Sequence, residues 1–225
     1  MSTILQKAKN KLFILLNPWM REHIILPWRR LCWNHKDVTL LSNNCIGGCI
    51  CHDLKSRFNS PFVNLWLNPK DFIKYCEKIE HYRACTLRFL PEDSQMLHYP
   101  VAQLDDIKIY FQHYHSNEEA EKKWIERTKR MDLNNIYCLM VGRDGCTEDD
   151  ILKLSTLPYP SASLVHTKGL AKLPNTHYIS GFEQEKEIGN VMEFVPNQYF
   201  GRKYYDSFNY VGWFNGKKDS GIRRL

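Results

Sequence analysis

Two hydrophobic periods alternate along this chain, one of about two residues and one of about 3.6, and their order predicts the elements. The apolar run at Val38, Leu40 and Leu41 predicts a strand over residues 37–41, and helical spacing follows over 46–58. Residues 62–67 read as a second strand. Asn68-Pro69 opens the next helix, with Phe72, Ile73, Cys76 and Ile79 on its apolar face. A third strand is predicted over 86–90, stopped by Pro91, and short extended segments over 101–104 and 107–114. Ser116 with Glu119 three residues on is a capping box, and the helix it starts, over 117–131, brings Ala120, Trp124 and Thr128 onto one face. A continuous apolar strand over 136–141, a helix over 147–157 and a strand over 161–166 complete the pattern. Strands and helices alternating at these lengths predict an α/β fold: one domain with a mostly parallel sheet flanked by helices on both faces.

Both ends add to that domain. Before it, residues 1–36 form a basic N-terminal arm with helical character, in which Ile4, Leu5, Ala8, Leu12, Phe13, Leu15 and Leu16 fall near one face. After Pro196 the chain is rich in aromatics, among them Tyr199, Phe200, Tyr204, Tyr205, Phe208, Tyr210, Trp213 and Phe214, and residues 37–225 are expected to end in an aromatic cap.

Charge sharpens the picture of the arm. The formal net charge is +6 over 225 residues, and residues 1–36 hold all of it, with seven basic residues against Glu22 alone. The remainder carries 24 basic and 24 acidic residues and is formally neutral. A nucleic-acid partner is not expected, because phosphate-tracking surfaces cluster Lys and Arg on the folded body. In the arm, basic residues, an apolar stripe and Trp19, Trp28 and Trp33 suit a helix lying on an anionic membrane through residues 1–33. A helix packed on the domain explains the same pattern, and both readings stand. No apolar run approaches the roughly 20 residues a spanning helix needs, and no small-residue cleavage site follows the arm. The expected location is the cytoplasm, at the inner membrane face.

The candidate chemistry sits where the first strand meets its helix. In Leu41-Ser42-Asn43-Asn44-Cys45-Ile46-Gly47-Gly48, Cys45 is placed on the first helical turn, where free amides and the helix dipole favour a thiolate. Open α/β sheets bind ligands at the C-terminal ends of their strands. His113, Arg143 and His166 end or follow strands and are candidates for the same rim. His52 is seven residues along the helix, about 10 Å at 1.5 Å per residue, which removes it as a direct partner. His113 is therefore the expected base, with Asp105 or Asp106 to orient it. The amides of Ile46 and Gly47 are expected to hold an oxyanion, with Ser42, Asn43, Asn44 and Gly48 completing the binding loop. The alternatives are a small buried cysteine at a helix start, glycines placed for tight packing, and a hydrogen-bonded structural histidine.

Other chemistries find less support. The eight cysteines are irregularly spaced and read as reduced thiols, with Cys76, Cys85 and Cys138 in apolar patterns. Cys45, Cys49, Cys51 and His52 lack the paired spacing that closes a tetrahedral metal site, so no metal is expected. Neither a Walker A sequence nor G-x-G-x-x-G occurs.

The blocks around Cys45, together with Phe58-Asn59-Ser60-Pro61-Phe62, Tyr99-Pro100-Val101, Asp106-Ile107, Phe111-Gln112-His113-Tyr114, Glu119-Ala120, Trp124 and Arg127, resemble a family of bacterial exopolysaccharide-biosynthesis proteins long labelled as an uncharacterised domain. The resemblance runs over most of residues 37–170 and implies a role in cell-surface polysaccharide assembly. The Asn-Cys turn is more distantly similar to capsular polysaccharide acetyltransferases of the WcbI kind, which use a cysteine and a histidine with coenzyme A as donor. That likeness implies a cysteine-dependent O-acyltransferase with acetyl-CoA as co-substrate. Cys45 matches the family cysteine, His113 is proposed for the histidine, and a glycan or lipid-linked sugar precursor is the acceptor. Arg143, Lys168 and Lys172 are the expected contacts of the coenzyme A phosphates. The rival expectations are a sugar-nucleotide-dependent glycosyltransferase and a non-catalytic, membrane-associated assembly protein.

Overall fold

The computed structural model describes residues 12–34, 37–196, 198 and 200–216. A helix, α1, runs from residue 12 to residue 32, with a wide turn over Arg21–Ile25. There the Leu26 N–H donates to the Arg21 carbonyl, one residue further back than in an α-helix. The cause is two residues on. Pro27 lacks an N–H, and its ring would meet the carbonyl of His23 in a regular helix.

β1 (Thr39–Ser42) leads into α2 (Ile46–Asp53). Then come α3 (Pro69–Glu77), α4 (Ile79–Ala84), β2 (Arg88–Phe89), α5 (Pro91–Leu97), β3 (Val101–Leu104), β4 (Ile107–Tyr110) and α6 (Asn117–Thr128). β5 (Ile136–Val141), α7 (Glu148–Ser155), β6 (Ser161–Val165), β7 (Thr176–Tyr178) and α8 (Tyr210–Phe214) complete the order. The main sheet is parallel, in the order β1-β5-β6-β7, and β2-β3-β4 form a separate antiparallel sheet inserted between β1 and β5.

All six residues of β5 are buried because the strand is interior and both faces are covered. Ile136, Cys138 and Met140 join Leu41 in a core with α3, α4, α6, α7 and the small sheet. Tyr137, Leu139 and Val141 join Leu40 in a second core with Ile46 and Ile50 of α2 and the C-terminal aromatics Tyr205, Phe208, Tyr210 and Phe214. The expected fold class is therefore present; of the C-terminal aromatics, Tyr205, Phe208, Tyr210 and Phe214 pack in the second core, Phe200 is exposed, and Tyr199 lies outside the described residues.

Several boundaries differ from the sequence reading. Residues 62–67 are not a strand. Phe62, Leu65 and Leu67 are buried, but the segment pairs only through the Trp66–Tyr110 bridge. The helix predicted to reach residue 58 ends at Asp53, and the extended run predicted to reach residue 114 ends at Tyr110. The Ser116 hydroxyl accepts from Glu119 N at 3.2 Å as a cap should, while the Glu119 carboxylate reaches back to His115 N rather than to Ser116.

Part of the arm packs on the domain. Arg21 is buried between Asp53 and Asp206, and its guanidinium also donates to the Tyr205 hydroxyl at 2.7 Å. Arg29 pairs with Asp206 as well. The carboxylates more than offset the desolvation that opposes charge on Arg21, so its pKa is raised. Asn17 bridges to the other end of the chain, donating to Gln198 O and accepting from Gly201 N. The expected stripe over residues 4–8 lies outside the described residues. No helix of the described residues is long and apolar enough to cross a membrane.

Candidate functional site

Cys45 lies where β1 hands over to α2, and the local hydrogen bonds explain the geometry of the turn. Asn43 is fully buried, and its side chain exchanges two bonds with Val141, accepting from its N–H at 2.9 Å and donating to its carbonyl at 3.0 Å. Its own carbonyl accepts from Leu67 N. The Ser42 hydroxyl donates to Asn44 O at 2.6 Å and accepts from Gly47 N at 3.1 Å. A side chain at Gly47 would bring a Cβ within 2.4 Å of that hydroxyl oxygen, so glycine is required by close packing. Asn44 caps the start of the helix two residues on, its Oδ1 accepting from Ile46 N at 3.1 Å.

These bonds correct the expected binding loop. Ser42, Asn43 and Asn44 spend their polar groups on the turn itself, and the Ile46 and Gly47 amides are occupied by Asn44 and Ser42. They are not free to hold an oxyanion. The Gly48 N–H takes neither acceptor, and Gly48 borders open space.

That space is an open cleft of about 560 Å³ at the C-terminal edge of the parallel sheet, within the ~300–1,000 Å³ range of small-molecule sites. Cys45, Gly48, Cys49 and His52 line it from α2, Val63 and Asn64 from the following loop, His113 from the loop after β4, and Arg127 from α6. Met192 and Lys203 close it from the C-terminal segment. Cys45 and His113, paired in the sequence reading, thus face one cavity, with His52 farther along the same helix.

The electrostatics of the cleft are uneven. Arg127 is held by the Val63 carbonyl and the Tyr114 hydroxyl, with Phe58 beneath its guanidinium at 5.8 Å. Lys203 lies 5.6 Å over the Phe194 ring. Neither forms an ion pair among the described residues. Asp53 is the one carboxylate among the described residues that line the cleft, and Arg21 holds it. Burial pushes the Cys45 thiol up to about 11, with Cys49 adding to the effect. The expectation of an easily ionised thiol is therefore corrected: desolvation outweighs the helix-start position, and Cys45 is a neutral thiol near pH 7. Burial also raises Cys49, against a smaller opposing pull from Lys203.

The remaining candidates lie elsewhere. Asp106 sits in the β3–β4 turn, where its carboxylate accepts from Lys74 Nζ at 2.8 Å and the Tyr82 hydroxyl at 2.6 Å. Those contacts hold it well below the usual carboxylate range, at about 2. β4 separates it from His113, so it does not orient that imidazole. Arg143 faces its neighbour Asp144 at 3.3 Å, Lys168 and Lys172 lie in the β6–β7 connection, and none of the three lines the cleft. Arg127 and Lys203 are the cations in that position. Arg127 follows Trp124 by three residues on α6, a spacing legible in the sequence, whereas nothing in the sequence ties Lys203 to Cys45. None of the eight cysteines is in a disulfide. Among the described residues His81, Cys85 and Asp105, not the Cys45 to His52 run, bring metal-ligating atoms within 4.8 Å of one another, on α4, just past its end and in the β3–β4 turn.

A family model described as "Domain of unknown function (DUF1919)" matches residues 20–215, which take in most of α1, the cleft and the aromatic cap. A Haemophilus influenzae protein described as uncharacterized is 42% identical over 181 residues, covering 80% of this chain and 85% of that protein.

Proposed function

We propose a reaction for this chain, which belongs to the DUF1919 family: transfer of an acyl group from a coenzyme A thioester to a glycan hydroxyl, through a thioester on Cys45. One observation carries the reading. A thiol, an imidazole and two cations that have no carboxylate partner among the described residues open onto the same cleft.

The chemistry follows from those groups. With the thiol protonated near neutrality, Cys45 needs a base at the moment of attack, and His113, the imidazole from the facing loop of the cleft, is the group proposed to take its proton. The sulfur adds to the donor carbonyl, and the Gly48 N–H supports the negative charge that develops on oxygen. The bond to the coenzyme A sulfur then breaks, His113 returns its proton to that leaving thiolate, and an acyl-cysteine remains. In the second half His113 takes the proton of the acceptor hydroxyl, whose oxygen attacks the thioester. The bond between the carbonyl carbon and the Cys45 sulfur breaks, the ester leaves, and His113 gives its proton to the released thiolate, restoring the Cys45 thiol. Arg127 and Lys203 would meet the donor's phosphates, the role first assigned to Arg143, Lys168 and Lys172. In its finer form the reading places this step in cell-surface polysaccharide assembly, on a glycan or lipid-linked precursor at a membrane face.

The same two cations suit the diphosphate of a sugar nucleotide, which keeps glycosyl transfer as the rival. The test is acetyl transfer from acetyl-CoA to capsule-derived oligosaccharide by wild type, Cys45→Ala and His113→Ala. Loss of at least ~100-fold in both variants is expected. Undiminished activity in Cys45→Ala would overturn the thiol mechanism, and turnover of a sugar nucleotide by that variant would favour the rival.

A further inference from the structure

We infer that the outer face of α1 is a docking surface for an anionic phospholipid bilayer. Of the eleven large hydrophobic side chains exposed among the described residues, seven lie on this helix. Leu12, Leu15, Trp19, Trp28 and Leu31 are each more than half exposed.

The wide turn brings these five onto one face, while Ile14, also more than half exposed, lies about 160° round the helix from Leu12. An α-helix advances about 100° per residue, so Trp19 and Trp28, nine residues apart, would stand about 180° apart on a regular helix. Arg21 and Arg29, eight apart, would be about 80° out of phase. The turn over Arg21–Ile25 absorbs one residue, which brings both arginines to the domain, where each pairs with Asp206. The same correction brings Trp28 and Leu31 round toward the side of Leu12, Leu15 and Trp19. A helix with one face held by buried ion pairs and the other carrying leucines and tryptophans has the composition of an interfacial helix.

Charge selects the occupant. Residues 1–11 carry Lys7, Lys9 and Lys11 and no acidic residue, and residues 217–225 carry four basic residues against Asp219. The first segment adjoins one end of α1. The second follows Gly216, beside Asn215, whose side chain bonds Cys32 O and Asn34 N at the other end. The two sequence segments that continue from these points thus carry a net charge of +3 each. A second copy using the same face would oppose basic segments to basic segments whichever way it turned. An anionic lipid surface meets the stripe and both segments.

The experiment is flotation of the full chain with vesicles of phosphatidylcholine alone and of phosphatidylcholine with phosphatidylglycerol. Binding to the anionic vesicles is expected to be at least ~10-fold stronger, to weaken with salt, and to shift tryptophan emission to the blue. Trp28→Glu should abolish it while leaving the melting temperature in place. Lys7, Lys9 and Lys11→Gln, which removes three positive charges and leaves the α1 stripe unchanged, should weaken it. Equal binding to both vesicles, no binding to either, or full binding by Trp28→Glu would overturn the proposal, as would a dimer in lipid-free solution that Trp28→Glu dissolves.

Discussion

Asn43→Ala separates a structural asparagine from a substrate-binding one. Its two side-chain bonds to Val141, at 2.9 and 3.0 Å in a fully buried setting, extend the β1–β5 pairing past the end of the ladder. Truncation leaves the Val141 N–H without a partner, at about 1–3 kcal/mol, while the Val141 carbonyl keeps the Arg143 N–H at 2.8 Å. The expected loss is about 2 kcal/mol, a sizeable fraction of the ~5–15 kcal/mol that stabilises a typical domain. In a chain of this length that corresponds to a fall of roughly 4–8 °C in Tm. Asn43→Asp gives the sign a second check. Its carboxylate would face the Val141 carbonyl without solvent, so the folded variant holds its proton more tightly than the unfolded chain does. The variant should therefore approach wild-type stability below about pH 4 and lose it as pH rises through the elevated folded-state pKa. Urea unfolding across pH measures both. A cost below ~1 kcal/mol for Asn43→Ala, with a pH-independent Asn43→Asp, would refute the structural role.

Three further outcomes follow from the same geometry. Gly47→Ala should destabilise by about 1–3 kcal/mol in urea unfolding, because its Cβ meets Ser42 Oγ at 2.4 Å, while Gly48→Ala, whose Cβ comes within 3.3 Å of Val63, should cost less. Arg21→Met should cost about 3–5 kcal/mol by leaving buried Asp53 and Asp206 short of a partner; no measurable change would show that α1 is not held as described. Alkylation of Cys45 by iodoacetamide should rise about tenfold per pH unit toward a plateau near pH 11, and a plateau below pH 8 would mean that the resting thiol is already ionised.

What the sequence disclosed depended on whether burial and ladder coincide. β5 was legible because all six of its residues are buried on both faces. Residues 62–67 carry the same apolar signal, yet Phe62, Leu65 and Leu67 are buried under loops, and burial alone does not make a ladder. α5 was missed because it buries none of its residues and so has no apolar face to read. β7 is only half-buried and three residues long. The rule that ligands gather at strand ends picked out Cys45 and His113, which line one cleft. Asp106 was misplaced although the arithmetic used for His52 applies to it: four residues of β4 at about 3.3 Å each put roughly 13 Å between it and the loop of His113. The thiol was misjudged because sequence shows a helix start and not the desolvation around it. Lys203 could not be found, since it reaches the cleft only through the fold of the C-terminal segment.

The account turns on whether Cys45 takes up an acyl group. Intact-mass and peptide spectra of the full chain after brief exposure to acetyl-CoA, without acceptor, measure this directly. The predicted result is one acetyl group on the peptide containing Cys45, lost on adding acceptor oligosaccharide, absent in Cys45→Ala and much slower to form in His113→Ala. Acetyl transfer to the acceptor by a protein whose Cys45 never carries the group would contradict it.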